Sequence, residues 1–225
     1  MKKSITIIAL ALASIALPAS AQYHGHYPRA YLEGAPRATR THFGPSDTYY
    51  GFRIGITGAK VNSDDARLDG GSMQRGLNAG AVAGFRLGAF APIYFETGLN
   101  YTEKGGKGSY GGSKFTYDLD YLEVPLVLKY RVPLAPDVTI DPFFGGYLAL
   151  GVGGKIKNYG EREAYSSFSE NNFNRFDGGL RLGIGAQLSL LYLEIGYDHG
   201  LSNICGDWFD ESHTRTIFAN VGINF

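Results

Sequence analysis

The chain closes on Thr216-Ile217-Phe218-Ala219-Asn220-Val221-Gly222-Ile223-Asn224-Phe225, and the reading of this stretch decides the fold. Ile217, Ala219, Val221, Ile223 and Phe225 fall on one parity, and Thr216, Asn220, Gly222 and Asn224 on the other. A period of two marks a strand with two unlike faces, not a helix. A strand that runs to an aromatic last residue predicts the closing strand of an outer-membrane barrel. Its apolar face would meet lipid and its polar face a lumen.

The amino terminus points to the same compartment. Lys2 and Lys3 precede an apolar stretch from Ile5 to Leu17, and Ala19-Ser20-Ala21 offers a small-residue cleavage site. This predicts a secretory signal peptide over 1–21, with the mature chain starting at Gln22. No other segment carries the roughly 18 consecutive apolar residues that a membrane helix requires. Residues 22–48 mix Tyr, His, Arg, Pro and Gly without periodicity and predict an irregular periplasmic tail.

From residue 49 the alternation recurs eight times, which predicts an all-β, eight-stranded antiparallel up-and-down barrel over 49–225. The strands are expected near 50–61, 78–88, 93–104, 117–132, 139–156, 173–189, 191–202 and 214–225. The fourth is the clearest: Leu122, Val124, Leu126, Leu128 and Tyr130 alternate with Glu123, Pro125, Val127, Lys129 and Arg131. In the fifth, Phe144, Leu148, Leu150 and Val152 oppose Gly145, Tyr147, Gly151 and Lys155. Links after the second, fourth and sixth strands are short. The others, near 62–77, 105–116, 157–172 and 203–213, are long and polar. Short turns on one side and long loops on the other predict a periplasmic and an outer end, with both chain ends periplasmic. The composition agrees: 32 Gly, 16 Tyr and 14 Phe suit curved backbone and interfacial aromatic girdles.

Lysine plus arginine and aspartate plus glutamate each number 21. Nothing in this balance suggests a nucleic-acid partner, which would show a basic stripe. Charged residues nonetheless stand inside strands on the lumen parity: Arg53, Arg86, Glu96, Glu123, Lys129, Arg131, Asp177, Arg181, Glu194 and Asp198. In hydrocarbon they would be costly, so they are expected to face inward as an ion-pair network filling a narrow lumen. Pairing of the second and third strands about Ala91 sets Arg86 opposite Glu96. A tight turn near Leu190 sets Arg181 opposite Asp198.

Other chemistry has weaker support. His199 and Ser202 fall on opposite strand faces and form no dyad. His213 with Asp210 and Glu211 is a faint protease-like grouping at the outer rim. No catalytic residue and no cofactor is therefore expected. Gln22, Tyr23 and His24, with His26 nearby, resemble an amino-terminal Cu(II) or Ni(II) site. Cyclisation of Gln22 would remove its amine, so no metal is expected to bind. Cys205, the single cysteine, forms no internal disulfide and is expected in a surface loop beside Gly206.

Several segments together resemble a known family. Phe95-Glu96-Thr97-Gly98-Leu99-Asn100-Tyr101, ending in Lys104-Gly105-Gly106-Lys107, is similar to a strand of the PorT-type, porin-family outer-membrane barrels of Bacteroidota. Tyr121-Leu122-Glu123-Val124-Pro125-Leu126-Val127-Leu128-Lys129-Tyr130, Phe144 to Lys155, and Tyr197 with Gly200-Leu201-Ser202-Asn203-Ile204 resemble further segments of it. The resemblance spans about 50–225. It implies a barrel with no catalytic residues to carry over, and one relative that is an accessory of a protein-secretion system.

The function expected is thus non-enzymatic, a structural or surface-binding barrel acting through its outer loops. The stretch Tyr159–Asn174 is the best contact surface. The rival readings are a secretion or envelope-assembly accessory working through the tail, and a narrow solute pore. Expected partners are outer-membrane lipid, lipopolysaccharide and a protein or ligand at the loops, with the barrel a monomer.

Overall fold

Alternation of apolar and polar side chains becomes a closed wall with a greasy outside and a charged inside. The computed structural model describes residues 47–63, 68, 72–87, 91–110, 112–158, 163–169, 173–205 and 211–225. The expected signal peptide and all but the last two residues of the 22–48 tail, with Gln22, His24 and His26, lie outside the described residues.

Among the described residues, eight strands form the barrel. They are β1 (Thr48–Ser63), β2 (Gln74–Arg86), β3 (Ile93–Tyr110), β4 (Ser113–Tyr130), β6 (Val138–Gly153), β9 (Phe176–Leu188), β10 (Leu191–Gly200) and β11 (Ser212–Asn224). Short β5 (Val132–Ala135), β7 (Lys155–Lys157) and β8 (Tyr165–Ser166) lie at the rims. Each barrel strand pairs antiparallel with the next, and β11 returns to β1 over Gly51–Asn224 through Ser63–Ser212. Closure removes the unpaired edges that a bilayer cannot satisfy. The carboxy-terminal residue completes the seam: the Tyr50 and Phe225 amides donate to each other's carbonyls at 3.0 and 2.9 Å.

The outer face is an apolar belt. Ile54, Leu126, Leu148, Leu182, Ile195 and Val221 are exposed on it. Tyr50 and Phe52 gather around Phe225 at the short-turn end, with ring centroids 6.4 and 6.1 Å apart. Such a ring suits the lipid headgroup level. At the long-loop end the outward parity turns charged: Lys60, Arg75, Glu103, Asp118 and Arg215.

Three expectations are corrected here. The segment 105–116 is not a long loop. β3 and β4 continue as a paired hairpin to Tyr110–Ser113, with Gly112 between them at φ 84°. The run Gly105-Gly106-Lys107-Gly108 reads as loop by composition, yet Gly106 leaves the space into which the Tyr117 ring folds. Lys155 does not share the inward face of Tyr147. Beyond Gly154, at φ 135°, the alternation resets, and Ile156 is buried while Lys155 is exposed.

Cys205 is not at the surface either. It bridges to Phe173 and is buried with Tyr117, Ile204 and Leu68 in an apolar cluster. Burial withholds the thiol from reagents. Maleimide labelling of the folded protein is expected to be negligible and to become complete on unfolding in urea. Rapid labelling of the folded barrel would show that the cluster opens.

Candidate functional site

The polar parity of each strand converges on the barrel axis, where it builds three charged tiers beneath an apolar cap. At the short-turn end Arg131 Nη2 lies 3.1 Å from Asp141 Oδ2, and the guanidinium sits 4.5 Å from the Tyr94 ring centre. Thr139 donates a further hydrogen bond to Asp141 at 3.0 Å.

The second tier centres on Glu96. Its carboxylate is 2.8 Å from Lys129 Nζ and 3.7 Å from Arg53 Nη2, and accepts from the Tyr49 hydroxyl at 2.7 Å. Lys129 also reaches Glu194 at 3.6 Å and the Tyr192 hydroxyl at 2.8 Å. Arg53 lies over the Tyr192 ring, 4.1 Å from its centre. Desolvated cations over aromatic faces gain a further stabilising contact. Tyr192 fits there because Gly185 on the neighbouring strand has no side chain, and a Cβ would collide with its hydroxyl.

The third tier is the most enclosed. Arg181 holds Asp198 in a two-point grip, Nε to Oδ1 at 2.7 Å and Nη2 to Oδ2 at 2.6 Å, and Nη2 also contacts Glu123. Lys104 Nζ sits 2.9 Å from Glu123 and 3.3 Å from Asp177. Asp177 accepts from Thr214 at 2.8 Å and Tyr147 at 3.2 Å. The side chains of Lys104 and Glu123 are both 0% exposed. Above this tier Tyr117 stacks on Phe173 at 5.2 Å, and Tyr121 meets the edge of Phe168 at 5.9 Å.

Arg53, Glu96, Lys129 and Glu194 thus meet in one tier, and Glu123, Asp177, Arg181 and Asp198 in another. Arg131 stands at the short-turn end. Arg86 is displaced from its expected partner, because the second and third strands pair about residue 90 rather than 91. Tyr94 lies opposite Arg86, and Gly84 opposite Glu96. Packing sets this register: Tyr49 lies across Gly84, where a Cβ would collide with its ring, and so brings its hydroxyl to Glu96.

Lys104 and Asp141 complete the network and were not among the charges singled out. Both lie on the inward parity, so strict alternation carried through to the strand ends would have found them. Parity already set Tyr147 on the inward side of its strand, whereas Tyr192 was not singled out, since tyrosine also serves the outer girdle.

The histidines assemble nothing catalytic among the described residues. His199 Nδ1 is 3.4 Å from the Tyr197 hydroxyl, and Ser202 donates to the Gly178 carbonyl. His213 Nε2 is 3.5 Å from Glu211, its Nδ1 is 3.1 Å from the Ser202 carbonyl, and Asp210 lies outside the described residues. The expected contact stretch Tyr159–Asn174 is also revised. Phe168 and Phe173 turn into the cap, while 159–162 and 170–172 lie outside the described residues.

The family described as outer membrane protein beta-barrel domain matches residues 40–206. No curated protein matches the chain significantly in sequence. Similar solved structures include the attachment invasion locus protein Ail of Yersinia pestis, at 14% identity and TM-score 0.43 over 80% of this chain and 99% of that one. Neisserial surface protein A is similar at 16% identity and TM-score 0.45, over 78% and 97% of the two chains. OprG of Pseudomonas aeruginosa is similar at 12% and 0.46, over 79% and 95%. At these identities the likeness concerns the fold alone.

Proposed function

Because this chain belongs to the outer membrane protein β-barrel family, we propose that it is a non-conducting, non-enzymatic barrel of the outer membrane whose work is done at its long-loop end. The lumen is an ion-paired plug. The observation that carries this reading is the third tier, where Lys104, Glu123, Asp177, Arg181 and Asp198 close on one another across the axis with the aromatic cap above. An eight-stranded barrel is only wide enough for side chains to fill.

The rim offers a scaffolded surface. The β3–β4 hairpin projects beyond the last β2–β3 pair, Asn78–Thr102, so the outer part of β3 pairs on one side only. Loops and hairpins on a rigid barrel are where binding surfaces are placed. Long loops outside and both chain ends in the periplasm follow the usual sidedness of such barrels. The strand motifs at 95–107 and 121–130 support membership of the PorT-type branch of Bacteroidota. Lys2 and Lys3, the apolar stretch from Ile5 to Leu17 and the small residues Ala19-Ser20-Ala21 support 1–21 as a signal peptide preceding the mature barrel.

Single-channel recording of the refolded protein in planar bilayers tests the plug. No resolvable openings are expected, and Glu123→Gln leaves the bilayer equally quiet. Reproducible openings whose conductance shifts in Lys104→Ala would overturn the reading and make the lumen a path for solutes.

A further inference from the structure

The outer wall of the barrel carries a second feature, at the level where the apolar belt turns charged. On one side of the rim an outward cation is paired: Lys157 Nζ lies 2.7 Å from Asp118 Oδ2. Across β10, β11, β1 and β2 the arrangement differs. The register sets His199 opposite Arg215, and Arg215 opposite Lys60. One row lower, Arg75 stands opposite Gly58. All four side chains fall on the outward parity. Directly opposed residues hold their Cβ atoms about 4.5–5.5 Å apart, and like charges there repel.

Among the described residues, none of Lys60, Arg75, Lys107 and Arg215 forms a salt bridge. The Nε of Arg215 is buried without a hydrogen-bond partner among them. Glu103, on β3, is engaged elsewhere and accepts from the Leu77 amide at 2.9 Å.

Directly beneath these cations lies an open groove of about 980 Å³ in the lipid-facing wall. Ile56, Gly58, Met73 and Ile217 line it, together with Arg75 and Lys107. Gly58 makes the depression: a Cβ there would meet only the Met73 thioether, at 3.5 Å. An apolar slot opening toward lipid, topped by unpaired cations, matches one kind of molecule. It needs an acyl chain and, two rows of cations being present, more than one negative charge.

The geometry points to a site for a phosphorylated, multiply acylated glycolipid of the outer leaflet, with phosphate between Lys60 and Arg215 and an acyl chain over Gly58. Charge-assisted contacts to phosphate offset the repulsion between the opposed cations. A phospholipid with one phosphate would leave part of the cluster unneutralised. The site rests on the sidedness proposed above, with the long loops outermost, but not on the state of the lumen. A silent or a conducting bilayer therefore leaves it untouched.

The test is native mass spectrometry of barrel extracted from phosphatidylcholine vesicles that contain bisphosphorylated lipid A. The wild-type protein is expected to carry lipid A through extraction. Lys60→Ala with Arg215→Ala is expected to reduce retention at least tenfold, and so is removal of both phosphates from the lipid. Gly58→Phe fills the groove and leaves every charge in place. It is also expected to reduce retention, and it decides the matter if the double variant does not fold by circular dichroism. Undiminished retention by folded variants overturns the site. Displacement of lipid A by an equal concentration of phosphatidylglycerol also overturns it, showing general anionic attraction only.

Discussion

Arg181→Ala is expected to destabilise the barrel by about 3–5 kcal/mol, the largest effect of any single truncation in the lumen. Among the described residues, Arg181 is the one group that binds both Asp198 and Glu123, each enclosed in the lumen. Truncation leaves two buried carboxylates with Lys104 as the remaining cation of the tier, and Lys104 is already shared with Asp177. Uncompensated buried charge is penalised far more than an ion pair is rewarded. The companion variant separates these two quantities. Arg181→Met with Asp198→Asn and Glu123→Gln removes the charges together and is expected to recover most of the loss. Reversible urea unfolding in phosphatidylcholine vesicles measures both. A loss under about 1 kcal/mol for Arg181→Ala would mean that water reaches the tier, because solvated pairs contribute only that much.

Ile195→Arg is expected to cost about 2–4 kcal/mol in the same assay, because it sets a cation at mid-depth in the lipid. Ile195 pairs with Ile184 on one side and Ala219 on the other, in the middle of the apolar belt. Its chain neighbours Glu194 and Gly196 point the other way, and Glu194 already receives Lys129 and Asn220. One residue along a strand is thus the difference between a tolerated charge and a costly one. Tyr50→Arg, at the short-turn margin, is expected to cost only about 0–1 kcal/mol. Equal costs at both positions would contradict a bilayer centred on this belt.

Much of the barrel was legible because its physics is local. A residue's face is decided by parity, and parity survives any uncertainty about which strand lies beside which. Phe52, Ile54 and Ile56 outward with Arg53 and Thr57 inward could be read from six consecutive letters. So could the closing strand from Thr216 onward. Alternating link lengths ordered the hairpins, and antiparallel neighbours follow from short turns. Where parity itself resets, at Gly153-Gly154, the reading failed for Lys155, since a bulge leaves no period to count.

The contacts inside the lumen were another matter. That Arg181 faces Asp198 came from a two-residue turn, at Ser189 and Leu190, with its arithmetic intact. That Arg86 misses Glu96 came from a turn one register step tighter, favoured by a ring lying across Gly84. Glu96 meets Lys129 and Glu123 meets Lys104 on the diagonal of two neighbouring strands, and Glu123 meets Arg181 two strands away, between residues 19 to 58 apart in the chain. The hairpin extending to Tyr110, the burial of Cys205, the inward turn of Phe168 and Phe173, and the row of cations above Gly58 share this origin. The sequence alone therefore determined the strand count, the two faces and the compartment, through a period of two that each strand carries within itself. Which charges meet, which glycines make room and which cations stand unpaired on the wall were decided only when eight strands closed, because a barrel's diameter and stagger are properties of no single strand.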